Sequence, residues 1–132
     1  MRLVTGGSGQ LGTAFRSIWP DALYPSRAEL DLSRPESVYD RMVEWAPNLI
    51  MNCAAYTNVD GAEQDEDVAT AVNGASVGEM ARYASDREIP FVTFSSDYVF
   101  SGESPRPFVE SDPTAPLNAY GRSKERGENE AL

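Results

Sequence analysis

Histidine is absent from this chain and cysteine occurs once, at position 53. Without histidine, a serine-histidine triad is excluded and a zinc site is excluded in practice. A lone Cys53 forms no disulfide within the chain. Any redox or acid-base chemistry must therefore use other groups. Cations are scarce too: 11 lysines and arginines face 21 aspartates and glutamates, a formal net charge of -10. Nucleic acid and anionic membrane surfaces are not expected partners, because each phosphate contact would add repulsion. No apolar run approaches the roughly 20 residues of a membrane span, and no basic-then-apolar leader follows Met1. These features predict a cytoplasmic protein, and 132 residues predict one domain.

What is present alternates between strand and helix signals. Leu3, Val4 and Thr5 run straight into GGSGQLG, after which Leu11, Ala14, Phe15 and Ile18 recur at helical spacing until Trp19 and Pro20. Ala22 to Tyr24 is a second, short strand candidate cut off by Pro25. Ser33-Arg34-Pro35-Glu36 has the form of a capping box ahead of a helix carrying Val38, Met42 and Trp45. Leu49, Ile50 and Met51 predict a strand covered on both faces. An acidic stretch, Asp60 to Asp67, leads into a helix marked by Val68, Val72, Val77 and Met80, with Gly74 and Gly78 inside it. Phe91 to Phe94 predicts a fourth strand, followed by a proline-rich loop and a last helix holding Tyr120 and Lys124. The fold class expected is α/β, a Rossmann-like doubly wound parallel sheet with strand order 3-2-1-4, and ligands beyond the carboxyl ends of the strands.

In Gly6-Gly7-Ser8-Gly9-Gln10-Leu11-Gly12, glycines recur as G-x-x-G-x-x-G directly after the first strand. Such a turn either brings backbone N–H groups and a helix N-terminus to a pyrophosphate or serves only as a tight strand-to-helix connection. If a dinucleotide binds, its type is read at the end of the second strand, where Ser26 and Arg27 stand and neither is acidic. That favours NADPH, with NADH the alternative.

Tyr120 and Lys124 are four apart, on one face of the last helix. An unperturbed phenol, with a pKa of about 10, is a poor acid at neutral pH, and a nearby ammonium favours its ionised form.

Six segments, TGGSGQLG, SRAELDLS, NCAAYTNVDGAE, VNGASV, FSSDYVFSG and NAYGRSK, stand in order across essentially the whole chain. In that order they resemble the extended short-chain dehydrogenases/reductases, and more narrowly the dTDP-4-dehydrorhamnose reductase family. The resemblance implies that Gly6, Gly9, Gln10, Leu11 and Gly12 cradle the pyrophosphate. It places Asp31 and Leu32 near the adenine, although Asp31 could equally cap local backbone. Ala54 and Ala55 would let the cofactor lie against the backbone, and Cys53 would be an inert core thiol. The catalytic group implied is Ser96, Tyr120 and Lys124, with Tyr120 and Lys124 also touching the cofactor. Family members commonly carry threonine at the position of Ser96; serine keeps the hydroxyl. Asn73 resembles the asparagine that supports the lysine, or is an ordinary buried amide.

The substrate implied is a nucleotide-linked 4-keto-6-deoxysugar, dTDP-4-dehydrorhamnose, reduced to dTDP-rhamnose with NADPH. The alternative is a non-catalytic nucleotide-binding regulatory or assembly module, since the regulatory subunit of methionine adenosyltransferase resembles the same family. No metal site is expected; Glu63, Asp65, Glu66 and Asp67 read as a solvated helix start. Family members are about twice as long, so residues 1–132 are expected to be an incomplete dinucleotide-binding domain lacking the C-terminal substrate domain. A missing portion or a second copy in a homo-oligomer would then cover the sheet edge, and the isolated piece would bind cofactor weakly and turn over poorly.

Overall fold

The structure, a computed structural model, describes residues 1–132. Its centre is a parallel sheet of three strands: β1 (Arg2–Thr5), β2 (Leu49–Asn52) and β3 (Phe91–Thr93). β1 pairs with β2 from Arg2 opposite Leu49 to Thr5 opposite Asn52, and β2 pairs with β3 from Ile50 opposite Phe91 to Asn52 opposite Thr93. The α/β class and parallel sheet expected from the sequence are both present.

The order 3-2-1-4 is corrected. Leu23 makes a single parallel bridge to Leu3, held by Leu23 N–H to the Arg2 carbonyl and Val4 N–H to the Leu23 carbonyl, both at 2.9 Å. It therefore occupies one side of β1, and Leu49–Asn52, third in sequence, occupies the other. The four strand positions run 2-1-3-4. The cause lies between residues 26 and 34, where a 3-2-1 arrangement would need another strand. Glu29 and Leu30 N–H groups both bond the Ser26 carbonyl, and Asp31 bonds Ser33, so the segment coils into turns. It still contributes Leu30 and Leu32 to the core, but as single inserted side chains rather than as a ladder.

Helices pack on this sheet. α1 (Gln10–Ile18) follows the glycine turn, and α2 (Val38–Trp45) is entered through a 3-10 turn at Pro35–Ser37. The capping box expected at Ser33 does not form: the 3-10 turn starts at Pro35 with Arg34 at the N-cap position and no side-chain cap, and Ser33 Oγ donates to Asp31 at 2.7 Å. α2 ends at Ala46, whose left-handed backbone (φ 47°) turns the chain toward Pro47. After β2 come a short α3 (Val59–Ala62) and then α4 (Glu66–Thr70), which continues through a π-helical turn (Ala71–Ala75) into α5 (Ser76–Asp86). α6 (Ala119–Ala131) closes the chain. Leu3 of β1 and Ile50 of β2 meet Val38 and Met42 of α2 and Val77, Met80 and Tyr83 of α5 in the main core. Strand alternation sends Val4 and Met51 to the opposite face, where both are also buried. No helix is long and apolar enough to cross a membrane.

The three strands end in a rung of side-chain hydrogen bonds. Thr5 Oγ1 donates to Asn52 Oδ1 at 2.5 Å, and Asn52 Nδ2 donates to Thr93 Oγ1 at 3.0 Å. Thr5 Oγ1 also accepts from the Ala54 N–H at 3.2 Å, fixing the chain where it leaves β2. Asn52 is 3 % exposed, so its truncation strands buried polar partners. Asn52→Ala should cost about 1–3 kcal/mol of unfolding free energy, measured by urea denaturation; a loss below about 0.5 kcal/mol would show that the rung is not structural.

Candidate active site

The glycine turn is shaped by contacts that exclude side chains. Gly6 has φ 65°, and a Cβ there would lie 2.7 Å from the Ala54 nitrogen at the end of β2. At Gly12 a Cβ would overlap the Gly6 carbonyl oxygen, so glycine is needed for α1 to start this close to β1. The N-cap of α1 is Gly9, which supplies no side-chain acceptor, and no acidic residue stands in the first turn. Its first N–H groups are thus left for an external acceptor, at the positive end of the helix dipole.

Along the C-terminal edge of β1 and β2 runs a groove of roughly 990 Å³. Gly6, Gly9, Gln10, Ser26, Arg27, Asp31, Leu32, Ala54 and Ala55 all line it, as does the half-buried Cys53. Burial pushes the Cys53 thiol pKa up, which keeps it neutral and inert. Leu11 and Gly12 lie outside the lining, Leu11 on the surface of α1 and Gly12 beneath it. Asp31 has a local task as well, accepting from the Ser33 hydroxyl and N–H, which hold its carboxyl below the usual range. The residues fit a dinucleotide: a glycine cradle, free first-turn N–H groups, small residues at the strand end and Ser26 with Arg27 at the far rim.

Tyr120 and Lys124 do not line this groove. Lys124 borders a second, smaller cavity of roughly 270 Å³, shared with Asn73, Val77, Phe94 and Ser95. Its Nζ donates to the Phe94 carbonyl at 2.6 Å, docking α6 on the end of β3 two residues before Ser96. Ser96 caps a 3-10 turn at Asp97–Val99; its Oγ accepts from Tyr98 N–H at 3.2 Å and donates to Asp97 at 3.3 Å. The rings of Tyr98 and Tyr120 pack edge to face, with centroids 5.5 Å apart. Ser96, Tyr120 and Lys124 are thus borne by two segments packed against each other.

The groove and this cluster are joined by a residue to which the sequence had assigned no role. Tyr56 lines the groove and packs, with Tyr120, around the buried Ala62, Ala69 and Ala119. Asn73, in the π-helical turn, accepts from Tyr56 N–H at 2.8 Å and donates to the Tyr56 carbonyl and to Ser123 Oγ, each at 3.0 Å. It makes no bond to Lys124; it links the β2 loop to α6 instead. The acidic segment is likewise more than a solvated helix start. Glu63 accepts the Ala119 N–H at 2.7 Å at the head of α6, and Glu66 pairs with Arg122 at 2.8 and 3.1 Å. Pairs 56 residues apart leave no periodic trace in a sequence.

An open parallel sheet with a glycine turn after its first strand and a groove at the carboxyl ends defines a Rossmann-like fold. The model of the RmlD substrate binding domain matches residues 1–132, and the chain belongs to that family, the family of the dTDP-4-dehydrorhamnose reductases. It is 42% identical over 129 residues to the dTDP-4-dehydrorhamnose reductase of Burkholderia thailandensis, covering 96% of this chain and 43% of that protein. A probable low-salt glycan biosynthesis reductase of Haloferax volcanii is 48% identical over 101 residues, 76% of this chain and 34% of that one. The crystal structure of the Bacillus anthracis dTDP-4-dehydrorhamnose reductase in complex with NADP superposes with a TM-score of 0.89 at 34% identity, covering 98% of this chain and 48% of that one. The chain spans less than half the length of each of these three proteins.

Lys124 is 8 % exposed, and burial pushes its pKa below the ordinary 10.5, with Glu128 pulling the other way. The folded state thus releases this proton at a lower pH than the unfolded chain. Between the lowered value and 10.5 the unfolded state holds more protons, so stability rises with pH through that window. Below the window the penalty is fully present. Lys124→Met should lack the rise, so the wild-type-minus-variant unfolding free energy should increase from pH 7 toward the ordinary lysine value in denaturant titrations. A difference that stays flat or falls would contradict a penalised ammonium.

Proposed function

We propose that the protein carrying this chain reduces the 4-keto group of a dTDP-linked 6-deoxysugar, dTDP-4-dehydrorhamnose to dTDP-rhamnose, with NADPH in the cytoplasm. Residues 1–132 form its dinucleotide-binding part. The observation that carries this reading is the docking of α6 on the end of β3. It brings the segment bearing Tyr120 and Lys124 against the turn bearing Ser96, and Tyr56 connects that cluster to the groove. The names of the relatives supply the substrate class, and the NADP in the Bacillus anthracis structure supports the cofactor.

NADPH would lie with its pyrophosphate at Gly6, Gly9, Gln10, Leu11 and Gly12, its adenine half beside Asp31 and Leu32, and its 2'-phosphate at Ser26 and Arg27. Ala54 and Ala55 leave room for it to cross the end of β2. When bound it supplies a hydride to the carbonyl carbon, so negative charge develops on the carbonyl oxygen. Ser96 Oγ donates a hydrogen bond to that oxygen. Its present partner, Asp97, is exposed, so the hydroxyl rotates away at little cost. Tyr120 gives the proton. Lys124, one helical turn on, stabilises the charge left on the phenol and also offers its ammonium to the nicotinamide ribose hydroxyls.

In the full-length protein, Tyr120→Phe should lower ketone-dependent NADPH oxidation by about 10²–10⁴-fold, the usual worth of a positioned proton donor, while NADPH fluorescence still reports binding. Undiminished turnover would overturn the assignment.

A further inference from the structure

Of the donors assigned to a 2'-phosphate, those of Ser26 are already engaged within the chain. Glu29 Oε2 accepts from the Ser26 N–H at 2.8 Å and from Ser26 Oγ at 2.7 Å. Both residues line the groove. The two bonds from Ser26 hold the Glu29 carboxyl below its ordinary range, so it is ionised at neutral pH. Arg27 is left largely unspent: its side chain is 82 % exposed and reaches only Asp31, at 3.8 Å. At this rim a carboxylate sits where a phosphate is expected. One N–H and one O–H cannot serve both anions fully, and two anions side by side repel. A ribose 2'-hydroxyl makes the opposite demand, since it can donate to a carboxylate that keeps its Ser26 bonds.

We propose that Glu29 sets cofactor discrimination in this groove: its carboxylate holds the Ser26 donors that a 2'-phosphate needs, so NADPH must displace it whereas NADH can bind with it in place. This rests on the reading of the groove as a nicotinamide-dinucleotide site and deepens it. Ser26 and Arg27 favour the phosphate, Glu29 opposes it, and the two together make a groove that accepts both cofactors. A merely structural Glu29, bracing the Ser26 turn, would affect the two cofactors alike.

The test is fluorescence titration of the full-length protein and its variants with NADPH and with NADH at one fixed salt concentration, each variant first checked by its thermal melt. Glu29→Gln and Glu29→Ala should tighten NADPH about tenfold, the size of one charge-assisted hydrogen bond regained, and should weaken NADH or leave it within about twofold on the same scale. Ser26→Ala, which deletes one contested donor, should weaken NADPH more than NADH. Equal shifts for both cofactors in all three variants would overturn the role of Glu29 while leaving the groove's assignment standing. Failure of both cofactors to bind, in wild type and variants alike, would overturn the dinucleotide reading, and this inference with it.

Discussion

The contact on which the site depends is the hydrogen bond from the buried Lys124 ammonium to the Phe94 carbonyl. No carboxylate within salt-bridge reach offsets that ammonium, and burial opposes its charge. Methionine at the same place would carry no charge to desolvate. A group held at such a cost is more informative than a satisfied core residue, because desolvated cations of this kind cluster where chemistry is done. Here the ammonium does two things at once. It fixes the C-terminal helix on the end of the last strand, and it stands one turn from a phenol.

Around that contact the chain uses local chemistry to fix long-range geometry. The Thr5–Asn52–Thr93 rung levels the ends of the three strands, so the loops leaving them start from a common edge. From that edge Ala54, Ala55 and Tyr56 pass along the groove, and Asn73 holds Tyr56 by both its backbone groups while touching Ser123 on α6. The π-helical turn is what places Asn73 there; it is a local widening of an otherwise regular helix, as such turns often are near functional sites. Glu63 and Asn118 then satisfy N–H groups at the head of α6, the first from outside the helix and the second as its own cap. Asn73, Glu63 and Asn118 thus fix the start of α6, the helix that bears Tyr120 and Lys124.

Much of this was legible in the sequence, for reasons that can be named. The glycine turn was readable because a close approach of backbones demands glycine at fixed intervals, and Gly6 and Gly12 meet that demand. Helices with one apolar face, such as α2 and α5, declared themselves by spacing. Nine of the positions assigned to the cofactor line the groove; Ser26 and Arg27 were read from the end of the second strand, and the others from the glycine spacing or the family motifs. The strand order was not legible, because apolar runs reveal strands but not which side of β1 each one takes; that was decided by turns at Ser26 to Ser33, which absorb the place of a further strand. The capping box failed because the turn begins at Pro35, which puts Arg34 rather than Ser33 at the N-cap position. The tasks of Glu63, Tyr56 and Glu29 were hidden for a different reason: a carboxylate or a phenol in a loop looks the same in sequence whether it faces water or a partner.

The central claim is that one dinucleotide spans from the glycine turn to Lys124, across the end of β2 and past Tyr56. It is tested most directly by a crystal structure of the full-length protein with NADPH bound. The account predicts the pyrophosphate against the first turn of α1 and the nicotinamide ribose within hydrogen-bond reach of Lys124 Nζ, with the ring beside Ser96 and Tyr120. A nucleotide bound elsewhere, or one whose nicotinamide end points away from α6, would contradict it.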